Sequence, residues 1–309
     1  MWNDGRVTQT AVTADPILGF YGPGSQMWRI NREAVLLGAG PAALLLQIAH
    51  PHVAEGVMQH SDFLADPVKR LRGTLRTTMD LVFGDGPHAD RAVRHLNHIH
   101  AAVQGEVDDP MARDVAGPAY RALDPDLLLW VQATLIVTSV RAYAAWVGPL
   151  TAADRDAFWA EARDVGQRIG IPLSRSPSDW AGLEAYFERM LAPDGPLQVT
   201  PTARRLAPSI IRPPLPFLPG PLADLATIPA LTLLPPRLRE AFGIPWGPGR
   251  EALATLLVPA LRVWVRVMPA GWRAMPQARA AERRASAAGH GRQAAYNPRD
   301  HRRRSPTRA

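Results

Sequence analysis

Three histidines lie within six residues of the chain, in the stretch AVRHLNHIHAAVQG at residues 92–105. They are His95, His98 and His100, and an imidazole nitrogen can bind a metal ion, haem iron or a proton. The apolar residues of the stretch recur at helical spacing, which predicts a helix. On that helix His95 and His98 share a face, whereas His100 points away from His98. A metal site built from all three side chains is therefore excluded.

His100 differs from the other two because it lies on or beside the apolar stripe of the predicted helix. Leu96 precedes it by four residues and Val103 follows it by three. A single histidine on an apolar face is most often a core residue with a hydrogen-bond partner. The alternative is an axial ligand to haem, whose flat apolar ring suits a helical pocket. We interpret His95 and His98 as plain surface residues.

A second group of polar residues occupies the stretch that ends in RLRGT at residues 70–74. Arg70 and Thr74 are four residues apart, so they face the same way on a helix. An arginine beside a hydroxyl suits a carboxylate, a haem propionate or a polar pocket over bound oxygen. The alternatives are a surface ion-pair partner for Arg70 and an ordinary helix-face residue for Thr74. His50, upstream, is predicted to support the pocket from behind or to hydrogen-bond within the core.

Helical patterns surround these residues, whereas the alternating pattern of strands is scarce. A helix is predicted from Pro67 to the residue before Gly84. Another begins at Pro125, and it is apolar on nearly all sides, so it must lie at the centre of a bundle. Proline is dense over residues 193–248, which predicts short, proline-broken helices there. The fold class predicted is all-α, a single helical bundle domain.

The domain is predicted to span residues 15–275, after an N-terminal segment of residues 1–14. Residues 276–309 are rich in arginine and poor in large apolar side chains, which predicts a basic, disordered tail. The tail is expected to keep the protein in solution, or to make weak contact with anionic membranes, and no nucleic-acid partner is expected.

The composition and the apolar runs of the chain exclude cysteine chemistry and bear on the location of the protein. The 309 residues carry a net charge of +7 and no cysteine, which excludes disulfides, thiolate metal sites and cysteine nucleophiles. The longest apolar run, residues 34–49, is shorter than the roughly 20 residues of a membrane-spanning helix. The start of the chain lacks the pattern of a secretory signal, so a cytoplasmic location is expected.

Several short motifs follow one another along the chain. They are Arg32-Glu33, LLGAGPAALLLQIAHPHVAEGV (36–57), His60-Ser61, RLRGT (70–74), VFG (82–84), H-x-x-V-x-G (100–105), Y-x-A-x-D-P (120–125), WVQATL (130–135) and LLPPRLREAFGIPW (233–246). In order and spacing this set resembles the family of the MpaB-type oxygenases and latex-clearing proteins, which share the rubber oxygenase catalytic domain. The resemblance covers about residues 25–250.

The resemblance implies a globin-like helical arrangement that carries haem b. It places the axial iron ligand on His100, and Arg70 and Thr74 near the distal side of the haem. It implies oxygen activation and transfer to a hydrophobic substrate, an alkene or an isoprenoid-like molecule. Two residues depart from the family pattern. Gly73 replaces a lysine that can occupy the distal iron position, and Gln132 replaces a histidine found in many relatives.

Two other functions compete with the oxygenase. A helical protein that binds haem or lipid without turnover would equally explain the loss of the distal lysine at Gly73. A hydrolase with a non-haem metal held by the histidines is the third hypothesis. The family resemblance favours the first function, in which His100, Arg70 and Thr74 surround the cofactor and His50 lies close to it.

Overall fold

The computed structural model describes residues 14–61, 67–212 and 220–289, and over these ranges the protein is all-α, as predicted. The first half contains Gln26–Asn31 (α1), the 3-10 helix Ala34–Ala39 (η1), Gly40–Ile48 (α2), Pro51–His60 (α3), Pro67–Phe83 (α4), Gly86–Ala102 (α5), Pro110–Ala116 (α6) and Pro125–Trp146 (α7). The second half contains Ala152–Arg168 (α8), Trp180–Leu191 (α9), Pro201–Ile211 (α10), Gly220–Leu231 (α11), Pro236–Ala241 (α12), Pro248–Val267 (α13), Ala270–Arg273 (α14) and Pro276–Ala287 (α15). A short antiparallel pair, Gln104–Glu106 (β1) and Ala119–Arg121 (β2), was not predicted.

Many helices begin with an acidic or hydroxyl residue as the N-cap, followed by proline. The cap side chain accepts a hydrogen bond from a backbone N–H of the first turn. Proline is tolerated there because backbone N–H groups in the first turn have no partner within the helix, so its missing N–H costs nothing. The Asp124 side chain accepts a hydrogen bond from the Asp126 N–H at 2.9 Å at the start of α7. Thr151 and Asp154 form a capping box at the start of α8. Asp179 caps α9, because its carboxylate accepts a hydrogen bond from the Gly182 N–H at 2.7 Å.

Helix α7 is the centre of the bundle, as its all-round apolar character predicts. It packs against η1, α2, α8, α9 and α13. It is long and apolar enough to cross a membrane, but 72% of its apolar 18-residue stretch is buried inside the fold. The pattern is thus that of a core helix.

Gln132 on α7 has a structural role that accounts for one departure from the family pattern. Its Nε2 donates a hydrogen bond to the carbonyl of Ala162 at 2.7 Å, and this bond joins α7 to α8. A Cβ added at Gly166 would lie 2.8 Å from Gln132 Oε1, so the glycine leaves room for the glutamine. Gln132 therefore fastens two core helices.

A sharp corner separates α2 from α3. The angle between the segments Ala34–Ile48 and Pro51–His60 is 107°. Taken together, the two segments would also be long and apolar enough to cross a membrane. Proline disfavours a helical conformation in the residue before it, and His50 accordingly has an extended ψ of 122°. The corner places His50 at the N-cap of α3.

The prediction of a disordered tail from residue 276 is wrong for its first twelve residues, which form α15. Ala278, Ala281 and Ala285 recur at helical spacing and are buried, because small side chains let the helix lie close to the bundle. Arg284 fixes it by donating to the carbonyls of Ile17 and Phe83 at 2.8 and 2.7 Å. The predicted tail residues 290–309, and residues 1–13 of the N-terminal segment, lie outside the described residues.

Candidate functional site

A pocket of about 560 Å³ lies where α3 and α7 begin and α5 ends, beside the β1–β2 pair. Its described walls combine imidazole, phenol and apolar groups. They are His52, His100, Ala101, Val103, Gln104, Ala119, Tyr120, Arg121, Leu123, Asp124 and Pro125. Volumes between about 300 and 1,000 Å³ are typical of small-molecule and cofactor sites.

His100 lines this pocket from the last turn of α5, whereas His95 and His98 are exposed, as predicted for surface residues. The Nδ1 atom of His100 is buried and has no hydrogen-bond partner among the described residues. Burial lowers the pKa of His100 because it disfavours the charged imidazolium. The side chain is therefore a neutral imidazole at pH 7, the form that binds metals.

The H-x-x-V-x-G motif has a geometric explanation in the β1–β2 pair. Val103 ends α5, and its carbonyl accepts from the Ala122 N–H at 2.9 Å. Gly105 pairs with Tyr120, and a Cβ at Gly105 would lie 3.0 Å from the Tyr120 hydroxyl oxygen. The glycine therefore lets Tyr120 pack beneath the end of the helix that carries His100.

His50 and His52 lie at the corner before α3, with ring centroids 5.8 Å apart. Nδ1 of His50 and Nε2 of His52 are both buried without a partner. Burial, followed by the proximity of His52, lowers the pKa of His50 to about 4, so its imidazole is neutral at pH 7. His52 lines the pocket, whereas His50 lies next to His52 and is not among the described lining residues.

A hydrogen-bonded route leads from Tyr120 into α3. The Tyr120 hydroxyl donates to Gln59 Oε1 at 2.6 Å, and Gln59 Nε2 donates to Glu55 Oε2 at 3.1 Å. Glu55 is only 1% exposed, and its Oε1 has no hydrogen-bond partner. Burial and the nearby acidic groups Glu55 and Asp108 raise the pKa of Tyr120 to about 12, so the phenol stays protonated. This route joins the pocket wall to a buried carboxylate.

Arg70 and Thr74 lie on α4, which packs against α5. Only Gly84 and Asp85 separate the two helices along the chain. Thr74 is exposed and does not line the described pocket, and the Arg70 side chain lies outside the described residues. Gly73 is exposed, and no atom of the described residues lies within 4 Å of an added Cβ.

Sequence reasoning missed His52, Tyr120, Gln59 and Glu55 as members of the site. The sequence contained one indication of His52, the triplet His50-Pro51-His52. Proline is common at the first position of a helix and disfavours a helical conformation in the residue before it, so both histidines are expected at a helix start. Within residues 14–61, 67–212 and 220–289, no group of three or more His, Asp or Glu side chains could hold a metal ion. The hypothesis of a metal hydrolase therefore has no geometric support among these residues.

We predict that His50 makes the protein less stable in acid. A histidine whose pKa falls from 6.5 unfolded to about 4 folded binds its proton preferentially in the unfolded chain. Its contribution to stability is complete above pH 6.5 and is lost as the pH falls towards 4. Between pH 7.5 and 4.5 it should remove roughly 2–3 kcal/mol from the free energy of unfolding.

Denaturant titrations of the wild type and His50→Asn at both pH values measure this loss. Asparagine does not titrate and suits the N-cap position. The loss between the two pH values should be roughly 2–3 kcal/mol smaller in His50→Asn than in the wild type. Equal losses in the two proteins would show that His50 does not titrate as its burial implies.

Comparison with known proteins places this architecture in a family. Residues 27–270 match the family described as ER-bound oxygenase mpaB/B'/Rubber oxygenase, catalytic domain. Two similar curated proteins are Uncharacterized protein Rv2237 of Mycobacterium tuberculosis and Uncharacterized protein Mb2261 of Mycobacterium bovis. Each is 29% identical over 240 residues, which cover 74% of this chain and 89% of the relative. No solved structure matches the chain significantly. The family match covers most of the chain, which therefore belongs to the family of the MpaB and rubber oxygenase catalytic domains.

Proposed function

We propose that this protein is a haem b-dependent oxygenase that acts on a hydrophobic alkene or isoprenoid-like substrate. Membership of an oxygenase family supports the reaction class. The observation that carries the proposal is the imidazole of His100, which lines the pocket from the last turn of α5. An imidazole at the wall of a pocket of this size is the side chain that can act as an axial ligand to haem iron.

The residues around the pocket fit a haem group. Haem needs an axial imidazole, apolar walls for the ring, and polar or cationic groups near its propionates. His100 supplies the imidazole, and Val103 and Leu123 are apolar wall residues. Arg121, exposed at the pocket, is the cation among the described lining residues. The volume of about 560 Å³ is in the range of cofactor sites.

In this proposal His100 would hold the iron, and the bound haem would supply the activation of dioxygen. Arg70 and Thr74 would interact with the dioxygen, a role that is supported by the family motif and by the packing of α4 against α5. His52 also lines the pocket and provides a second imidazole at the site. Tyr120 keeps its proton and holds the pocket wall against α3 through Gln59.

A hydrophobic substrate is favoured by the character of the pocket wall. Leu123 is 41% exposed although it lines the pocket, and Ala101, Val103, Ala119 and Pro125 extend the apolar surface around it. The free energy falls when an apolar ligand displaces water from the apolar surface of a cavity, so such binding is favourable. This apolar part of the lining suits a hydrocarbon group, and the rubber oxygenases of the family support a hydrophobic substrate.

Oxygen consumption separates the oxygenase from the alternative, a protein that binds haem or lipid without turnover. The haem-loaded protein is supplied with an isoprenoid alkene and ¹⁸O₂, and oxygen uptake and labelled product are measured together. The oxygenase proposal expects alkene-dependent uptake and label in the product. Haem binding without uptake across a series of apolar alkenes would instead support the binding protein.

A further inference from the structure

Helix α13 carries an apolar stripe that is exposed in the described structure. The stripe consists of Leu253, Leu256, Val263, Trp264 and Val267, all exposed. At about 100° per residue these five positions fall within an arc of about 100°. Ala254 and Val265, on another side of the helix, are buried. The stripe is thus a second apolar surface, separate from the one that packs on the bundle.

A second exposed tryptophan lies on α14, which follows α13 along the chain, and the segment after it is fixed by contacts. Trp272 is 80% exposed. The next residue, Arg273, forms two hydrogen bonds to the buried Glu33 carboxylate, at 2.9 and 2.8 Å. The Met275 N–H donates to the carbonyl of Arg32 at 2.8 Å. The chain on the C-terminal side of Trp272 is therefore clamped to the N-terminal helices while its indole faces solvent.

The charge of this region favours an anionic partner. Residues 248–289 contain seven arginines, two glutamates and no other charged residue. Arg266, Arg279 and Arg283 are exposed. A second copy of the chain would bring these cations and two net charges of +7 towards each other. Residues 290–309 add six arginines and, apart from Tyr296, no large apolar side chain, so their composition does not suit covering the stripe.

We propose that α13 and α14 dock on the surface of an anionic lipid bilayer. The α13 stripe and Trp272 enter the boundary between headgroups and acyl chains, where apolar side chains and indole rings are stabilised. The exposed arginines remain at the level of the headgroups and bind phosphate and carboxylate groups there. The docking is peripheral, because the helix lies along the membrane and does not cross it.

Flotation of the full-length protein with lipid vesicles tests this proposal. Vesicles of phosphatidylcholine are compared with vesicles that contain equal amounts of phosphatidylcholine and phosphatidylserine. The wild type should float with the anionic vesicles and much less with the neutral ones, and added salt should weaken the binding. The double variant Trp264→Ser/Trp272→Ser should bind the anionic vesicles at least about tenfold more weakly, because it loses two large apolar anchors.

The matched control is Val115→Ser/Leu173→Ser, which removes two exposed apolar side chains from α6 and from the segment before α9. It should bind as the wild type does, and circular dichroism should show all proteins folded. Equal binding of the tryptophan variant and the wild type would overturn the proposal and assign the binding to the arginines alone. Sedimentation of a dimer that the tryptophan variant abolishes, with no vesicle binding, would overturn it in favour of a second copy.

Discussion

Replacing His100 with alanine is expected to abolish oxygenase activity and to weaken haem binding by more than about a hundredfold. Loss of groups that merely orient a metal ligand costs 10–100-fold in affinity, so loss of the ligand itself costs more. His100 is the histidine of α5 that reaches the pocket, and its Nδ1 is buried without a partner. Titration of the unloaded variant with haem, followed by absorption, gives the affinity.

His98→Ala is the matched control, because it removes the same type of side chain two residues away on the same helix. His98 is exposed and does not line the pocket. The control should therefore bind haem and consume oxygen as the wild type does. If His98→Ala and His100→Ala lose haem equally, the ligand assignment is wrong and the cluster acts only through the stability of α5.

The second large effect concerns stability, where Glu33→Gln should lower the free energy of unfolding by about 3–5 kcal/mol. Glu33 is 3% exposed and accepts two hydrogen bonds from Arg273, whose side chain is 14% exposed. Glutamine has the same shape, but its amide group turns an N–H donor towards the guanidinium and leaves that cation buried without its counter-charge. Denaturant titration at pH 7 measures the loss.

Glu188→Gln provides the comparison, since Glu188 is 61% exposed and pairs with Arg141 at 2.7 Å on the surface. An exposed pair contributes at most about 1 kcal/mol, because water and salt screen it. Both variants replace a glutamate with a glutamine. The difference between their losses in the free energy of unfolding therefore measures the effect of burial. Similar losses for both variants would refute the clamp between the N-terminal helices and α14.

The features that the sequence predicted are those determined by neighbouring residues. Pro125 after Asp124 marks the start of α7, and the apolar spacing around His100 puts that histidine on the inner side of α5. Both depend on contacts within one helical turn. The motif Arg32-Glu33 could be recognised but not explained, because its partners Glu282 and Arg273 lie about 240 residues away along the chain.

The missed parts of the site depend on contacts between distant segments. Tyr120 contacts Gln59, which is 61 residues away along the chain. Tyr120 is held by a pair of three-residue strands, which are too short to show the alternating pattern of a strand in the sequence. Composition alone also misled the prediction for residues 276–287. Their arginines and alanines are typical of a disordered tail, yet the alanines at every third or fourth position form a buried helix face. Tertiary packing decided both cases.

The most direct test of the proposed function is a haem titration of the purified wild-type protein, followed by absorption of the oxidised and dithionite-reduced forms and by analysis of bound metals. We expect one haem per chain and a Soret band that shifts on reduction. These features should disappear in His100→Ala and persist in His98→Ala. Absence of a Soret band after added haem, or stoichiometric zinc without porphyrin, would contradict the assignment of this pocket as a haem site.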